Sequence, residues 1–125
     1  MKRIFISFAS EDVALRNLLK GQARNESSPF EFIDMSVKEP WDTQWKTNCR
    51  TKIKKCDGMI AIITHSSERA NGQIWEIKCA QEEDIPVIGI YGNNNCSLIT
   101  IPNVCNNIKI IPWEWESIAD WLNQL

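Results

Sequence analysis

The five residues Met59 to Ile63 are uninterruptedly apolar, follow an Asp57-Gly58 break and end at Thr64. A run of this kind is too short for a helix, and it lacks the polar alternate positions of a strand with one wet face. It therefore reads as a central strand covered on both sides. Ile4, Phe5, Ile6 and Phe8 form a second run of the same character, and Val87, Ile88, Gly89, Ile90 and Tyr91 form a third after Pro86. Shorter β-rich pieces stand at Phe30, Phe32 and Ile33 and at Ile108, Ile110 and Ile111.

Between these pieces the apolar spacing becomes helical. Leu15, Leu18, Leu19 and Gln22 predict a first helix to about Arg24, with Ser10 as its N-cap and Glu11 and Asp12 in its first turn. Trp45, Cys49, Ile53 and Cys56 make one stripe of a second helix that Asp42 caps. A third helix presents Ala70, Ile74, Ile77 and Gln81 on one side and continues to about Glu83, where Asp84 stops it. Trp115, Ile118, Leu122 and Leu125 give a C-terminal helix. Strands alternating with helices over crossover-length linkers imply a parallel sheet with helices on both faces. The expectation is a single-domain, three-layer, flavodoxin-like α/β fold over residues 1–125, with five parallel strands in the order 2-1-3-4-5. Asn93-Asn94-Asn95 reads as a turn after the fourth strand.

Composition excludes several classes of function. Fourteen Lys and Arg against sixteen Asp and Glu give a net charge of −2, which offers no general attraction to a nucleic-acid backbone. Five cysteines, at 49, 56, 79, 96 and 105, form no CxxC pair and are odd in number, which fits a reducing cytoplasm. No run approaches the roughly 18 apolar residues of a membrane span, and MKRIFISFASED lacks the features of a signal peptide. The expectation is a cytoplasmic protein with neither nucleic acid nor membrane as partner.

In a sheet of this order, ligands bind beyond the carboxyl ends of the strands, at the switch point between strands one and three. The chemistry should then lie in Phe8 to Ser10, Asp34 to Trp41 and Thr64 to Ser67. There is no GxxxxGK[ST] and no GxGxxG, and strand three ends in Thr64-His65 rather than in a phosphoacceptor carboxylate. His65 is the only histidine, and with scattered cysteines it builds no metal site.

Four blocks, RIFISFASED, FEFIDMS, IKKCDGMIAIIT and GQIWEIKCAQEEDIPVIGIY, stand in order over roughly residues 1 to 92. Together they resemble the TIR-like domain family, particularly its short bacterial ThsB-type group from Thoeris anti-phage defence. The resemblance implies hydrolysis or cyclisation of NAD+ at the nicotinamide–ribose bond, with NAD+ as substrate and no further cofactor. It also implies Glu76 as the catalytic residue, self-association, and a separate effector protein that senses an ADP-ribose-derived product. On the residues' own terms, Glu76 lies about 100° from Ile77, at the margin of the buried stripe and able to face the crevice.

Ser7, Phe8, Ala9 and Ser10 would line the floor of the site, Phe8 being equally readable as a core aromatic. Asp34 would order its loop by accepting backbone NH groups, or bind ribose. Thr64 opens the third crevice segment, at the end of the third strand, and is a further candidate for binding. Trp41 is the candidate for stacking or for an interface, whereas Trp45 fits the core stripe. Gly72 stands four residues before Glu76, where the resembled family commonly carries Trp. Lys46, Arg50, Lys52, Lys54 and Lys55 give the second helix a basic side, read as a solvated face or as a surface for docking onto a neighbouring copy. Two rivals stand beside the NAD+ reading: a non-catalytic interaction module, and a nucleoside N-(deoxy)ribosyltransferase with a comparable carboxylate.

Overall fold

A computed structural model of the chain describes residues 2–27, 30–92 and 99–125. Five parallel strands, β1 (Arg3–Ser7), β2 (Glu31–Ile33), β3 (Gly58–Ile63), β4 (Val87–Tyr91) and β5 (Lys109–Ile111), form one sheet in the order β2-β1-β3-β4-β5. Helices α1 (Val13–Asn25), α2 (Thr43–Lys54), α3 (Asn71–Glu82) and α4 (Trp115–Asn123) connect or follow the strands. Every residue of β3 is buried, as its unbroken apolar run requires. The strand order and the three-layer arrangement agree with the sequence expectation. The Asn93-Asn94-Asn95 turn and Cys96 lie outside the described residues.

The two-residue period of the strands sorts the core into halves. Phe5, Met59, Ala61 and Ile63 point to the layer where α2 supplies Trp45, Cys49 and Ile53 and α3 supplies Ile77, Cys79 and Ala80. Ile4, Ile6, Ile60, Ile62, Ile88 and Ile90 point to the other layer, against Leu19 of α1 and Ile118 and Leu122 of α4. Trp113, Trp115 and Trp121 pack on the edge of that second half. No helix among the described residues is long and apolar enough to cross a membrane.

Two local expectations are corrected. Ser10 does not cap α1: it is exposed and opens a short 3-10 turn, Ser10–Asp12, and neither that turn nor α1 has a side-chain cap bond. The extra turn continues straight into the helix, so the start that Ser10 would mark is already wound. In α3 the buried face is Gly72, Gln73, Glu76, Ile77, Cys79 and Ala80, while Ala70 and Ile74 are half-buried and Gln81 is exposed. Polar residues occupy much of the inward face, so apolar periodicity found Ile77 but missed the rest of that face. Asp42 does cap α2, accepting the backbone NH of Trp45 at 2.8 Å.

Candidate active site

The first two turns of α3 lie over the carboxyl ends of β1 and β3. Gln73 fastens them there, its Nε2 donating to the carbonyl of Ile62 at 2.7 Å and of Ser7 at 3.2 Å. Its Oε1 is buried without a hydrogen-bond partner among the described residues. Three residues further along, Glu76 is brought beneath the turn that follows β1. Ser7 Oγ donates to Glu76 Oε1 at 2.8 Å, and Lys38 Nζ donates to Oε2 at 2.7 Å. Glu76 is 0% exposed and the Lys38 side chain 5%. Burial pushes the Glu76 carboxyl up to about 7, against the opposing pull of the Lys38 ammonium and the Ser7 hydroxyl. Glu76 is therefore not at the margin of the buried stripe but wholly inside it, and its partner comes from a distant loop.

That loop, residues 34–42, is held at several points. Asp34 accepts from Arg16 Nη1 at 2.9 Å and from Ser36 Oγ at 3.2 Å, and its Oδ2 lies 2.9 Å from Lys20 Nζ. Although burial alone would raise it, the Lys20 and Arg16 charges hold the Asp34 carboxyl below its usual value. The Asp34 carboxylate therefore orders its loop through side chains, Arg16 and Lys20 of α1 and Ser36 of the loop itself, rather than through backbone NH groups. Further on, the Trp45 indole donates to the carbonyl of Val37 at 2.7 Å. Trp45 also meets Trp75 edge to face, with ring centroids 5.5 Å apart. Held at its neighbour Val37, Lys38 turns inward, and its ammonium lies 4.1 Å from the centroid of the Phe8 ring. The Arg16 guanidinium is 5.4 Å from the same ring.

Of the floor residues, Ser7, Phe8 and Ala9 are buried and only Ser10 is open to solvent. The Thr64 hydroxyl donates to Asp12 and accepts from the Ser66 NH, so it faces the turn after β1. His65 is exposed. Gly72 is buried against Lys38: a Cβ there would come 2.8 Å from Lys38 Cβ and 3.3 Å from Cγ and Cδ. Trp41 is 76% exposed at the rim of a cavity of about 210 Å³ that Ser10, Lys38, Arg69, Gly72 and Gln73 also line. This is smaller than the roughly 300–1,000 Å³ of typical small-molecule sites. A larger cavity, about 890 Å³, lies between α1 and the ends of β4 and β5, but its lining includes no buried carboxylate or nucleophile. Glu76 lines neither cavity; it lies behind Lys38, Gly72 and Gln73 in the wall of the smaller one, which is the reason for preferring that place over the larger volume.

Sequence reasoning missed Lys38, Gln73 and Arg69. Lys38 stands in an aperiodic loop, and Gln73 had no signal beyond its place beside Gly72. Arg69 makes no ion pair among the described residues. On α2, Arg50 is engaged within its own chain, bonding Glu83 at 2.6 Å and Glu82 at 2.9 Å. The basic side is therefore partly neutralised. Cys49, Cys56, Cys79 and Cys105 are free and buried, and burial pushes the last three thiols up to about 11 and Cys49 higher still. These thiols stay protonated near neutrality and fill space rather than act as nucleophiles.

The family model described as "Thoeris protein ThsB, TIR-like domain" matches residues 5–97. No curated protein matches the chain in sequence. A solved structure described as "Crystal Structure of a prokaryotic SEFIR domain" superposes with a TM-score of 0.58 at 15% sequence identity, over 99% of this chain and 95% of that one. At that identity the likeness concerns the fold.

Proposed function

The chain belongs to the TIR-like domain family of the Thoeris protein ThsB, and from this premise we propose that it cleaves the nicotinamide–ribose bond of NAD+ in anti-phage defence. The observation that supports the proposal is the fully buried Glu76 carboxylate, bonded to Ser7 at the carboxyl end of β1 and to Lys38, which lines the cavity beside Trp41. Nicotinamide is already a cationic pyridinium and leaves without a general acid. The C1′–N bond breaks with its electron pair going to the ring nitrogen, which becomes neutral. Positive charge then develops at C1′ and the ribose ring oxygen. Once Lys38 has withdrawn, the Glu76 carboxylate stabilises that charge and accepts hydrogen bonds from the ribose hydroxyls, with Ser7 holding its second oxygen in place. Water adds to C1′ and loses a proton to give ADP-ribose, or a nucleophilic atom of the same substrate adds and closes a ring. A preorganised carboxylate of this kind contributes on the order of 3 kcal/mol.

Trp41 at the rim offers a stacking surface for a base, and Arg69 a positive charge for the pyrophosphate. The reading carries further expectations: a cytoplasmic location, self-association, and a separate effector protein that senses the product. The test is chromatography and mass spectrometry of NAD+ incubated with concentrated protein. Release of nicotinamide is expected, falling about 100-fold or more in Glu76→Gln. Turnover unchanged in that variant would remove Glu76 from the mechanism.

The burial of Glu76 behind Lys38 also favours a second reading, a non-catalytic interaction module in which the pair is purely structural. That reading expects assembly to persist in Glu76→Gln with no product formed by either protein.

A further inference from the structure

Lys38 is an unusual occupant for the space it fills. Its ammonium lies 2.7 Å from a buried carboxylate oxygen and 4.1 Å from the centre of an aromatic ring, an arrangement that recognises a cation. Ser7 already satisfies the other carboxylate oxygen, so charge balance in the pocket depends on whichever cation stands between Phe8 and Glu76. The stem of Lys38 reaches this place through the space left by Gly72, because any side chain there would meet Lys38 Cβ at 2.8 Å.

We propose that the space between Phe8 and Glu76 is a subsite for a cationic heteroaromatic ring, that Lys38 is its intramolecular competitor, and that Gly72 is what admits the competitor. The ring is the pyridinium of the substrate, so the inference rests on the function proposed above and names how the same site is held closed. A pyridinium carries the single positive charge of the ammonium and adds a flat face to lay on Phe8. A ligand must displace Lys38 to enter, and its apparent affinity is reduced by the fraction of molecules in which Lys38 is seated. Neutral nicotinamide cannot replace the lost charge and gains little from the same space. This distinction favours binding of the cationic substrate over retention of the neutral product.

The experiment compares 1-methylnicotinamide, a permanent cation, with neutral nicotinamide by isothermal titration calorimetry. Lys38→Ala removes the competitor, and Gly72→Ala pushes its stem aside while leaving every charge in place. Both variants are expected to bind the cation about 10-fold or more tightly than the wild type, with nicotinamide little changed. In the wild type, acetylation of lysines read by mass spectrometry should find Lys38 protected alone and modified when 1-methylnicotinamide is saturating, a measurement that stands even where a variant does not fold. Unchanged cation binding in the folded variants, an equal gain for the neutral compound, or continued protection of Lys38 at saturation would each overturn the subsite. NAD+ turnover is followed separately. Cation binding that displaces Lys38 with no nicotinamide released leaves the subsite standing and removes the catalytic reading, whereas turnover with Lys38 still protected does the reverse.

Discussion

Glu76 pays for its position in solvation, and the consequence is measurable in the pH dependence of folding. Burial raises its carboxyl from 4.5 to about 7, so the folded protein holds a proton that the unfolded chain has released across that interval. The stabilisation from the protonated form is complete below about 4.5 and is lost as the pH rises through about 7. Glu76→Gln carries no proton to lose. Urea unfolding at a series of pH values should show the wild type losing up to about 3 kcal/mol relative to this variant between the two limits. A parallel pair of curves would mean that the carboxylate is solvated in the folded protein. Gln73 belongs to the same scale: its amide holds two strand-end carbonyls at once, and it sets the depth at which Glu76 sits.

At the scale of elements, α2 and the loop before it act together on the site. Asp42 caps the helix, and three residues later the Trp45 indole holds the carbonyl beside Lys38. Asp42→Ala should cost about 1 kcal/mol in a denaturant titration. Since the cap fixes the same turn that carries Trp45, the variant should also loosen Lys38 and raise its acetylation rate. Stability unchanged in Asp42→Ala would show that the first turn of α2 is held by packing alone. On α3 the polar inward face serves position rather than burial energy: Gly72 admits Lys38, Gln73 bonds the strand ends, and Glu76 receives both Lys38 and Ser7.

For the molecule as a whole, the sheet divides the core into two layers, with β1 and β3 paired side by side at its centre. Ile62 is wholly buried in the α1 and α4 layer, and its carbonyl accepts the Gln73 amide. Ile62→Ala should cost about 2–5 kcal/mol by thermal or urea unfolding, because a central strand cannot collapse into the space. Leu18→Ala, at a side chain 60% exposed on α1, should stay within about 0.5 kcal/mol of the wild type. Equal effects at the two positions would contradict the layered core.

The apolar runs of β1, β3 and β4 were legible because each strand is buried along its own length, so every neighbour in sequence carries the same signal. Strand order followed from crossover geometry, the third helix from its own spacing, and the choice of Glu76 on it from the resemblance of its block. Most of the buried face of α3 beyond Ile77 was missed because Gly72, Gln73 and Glu76 put polar or absent side chains where periodicity looks for apolar ones. Lys38 and Glu76 are 38 residues apart, and the Asp34 carboxylate is held by charges from α1. No local pattern encodes such pairs. Sequence determined the sheet and the helix that carries the carboxylate, since both depend on short-range patterning. Tertiary docking alone decided which cation faces it, because that contact exists only after loop, helix and strand ends have come together.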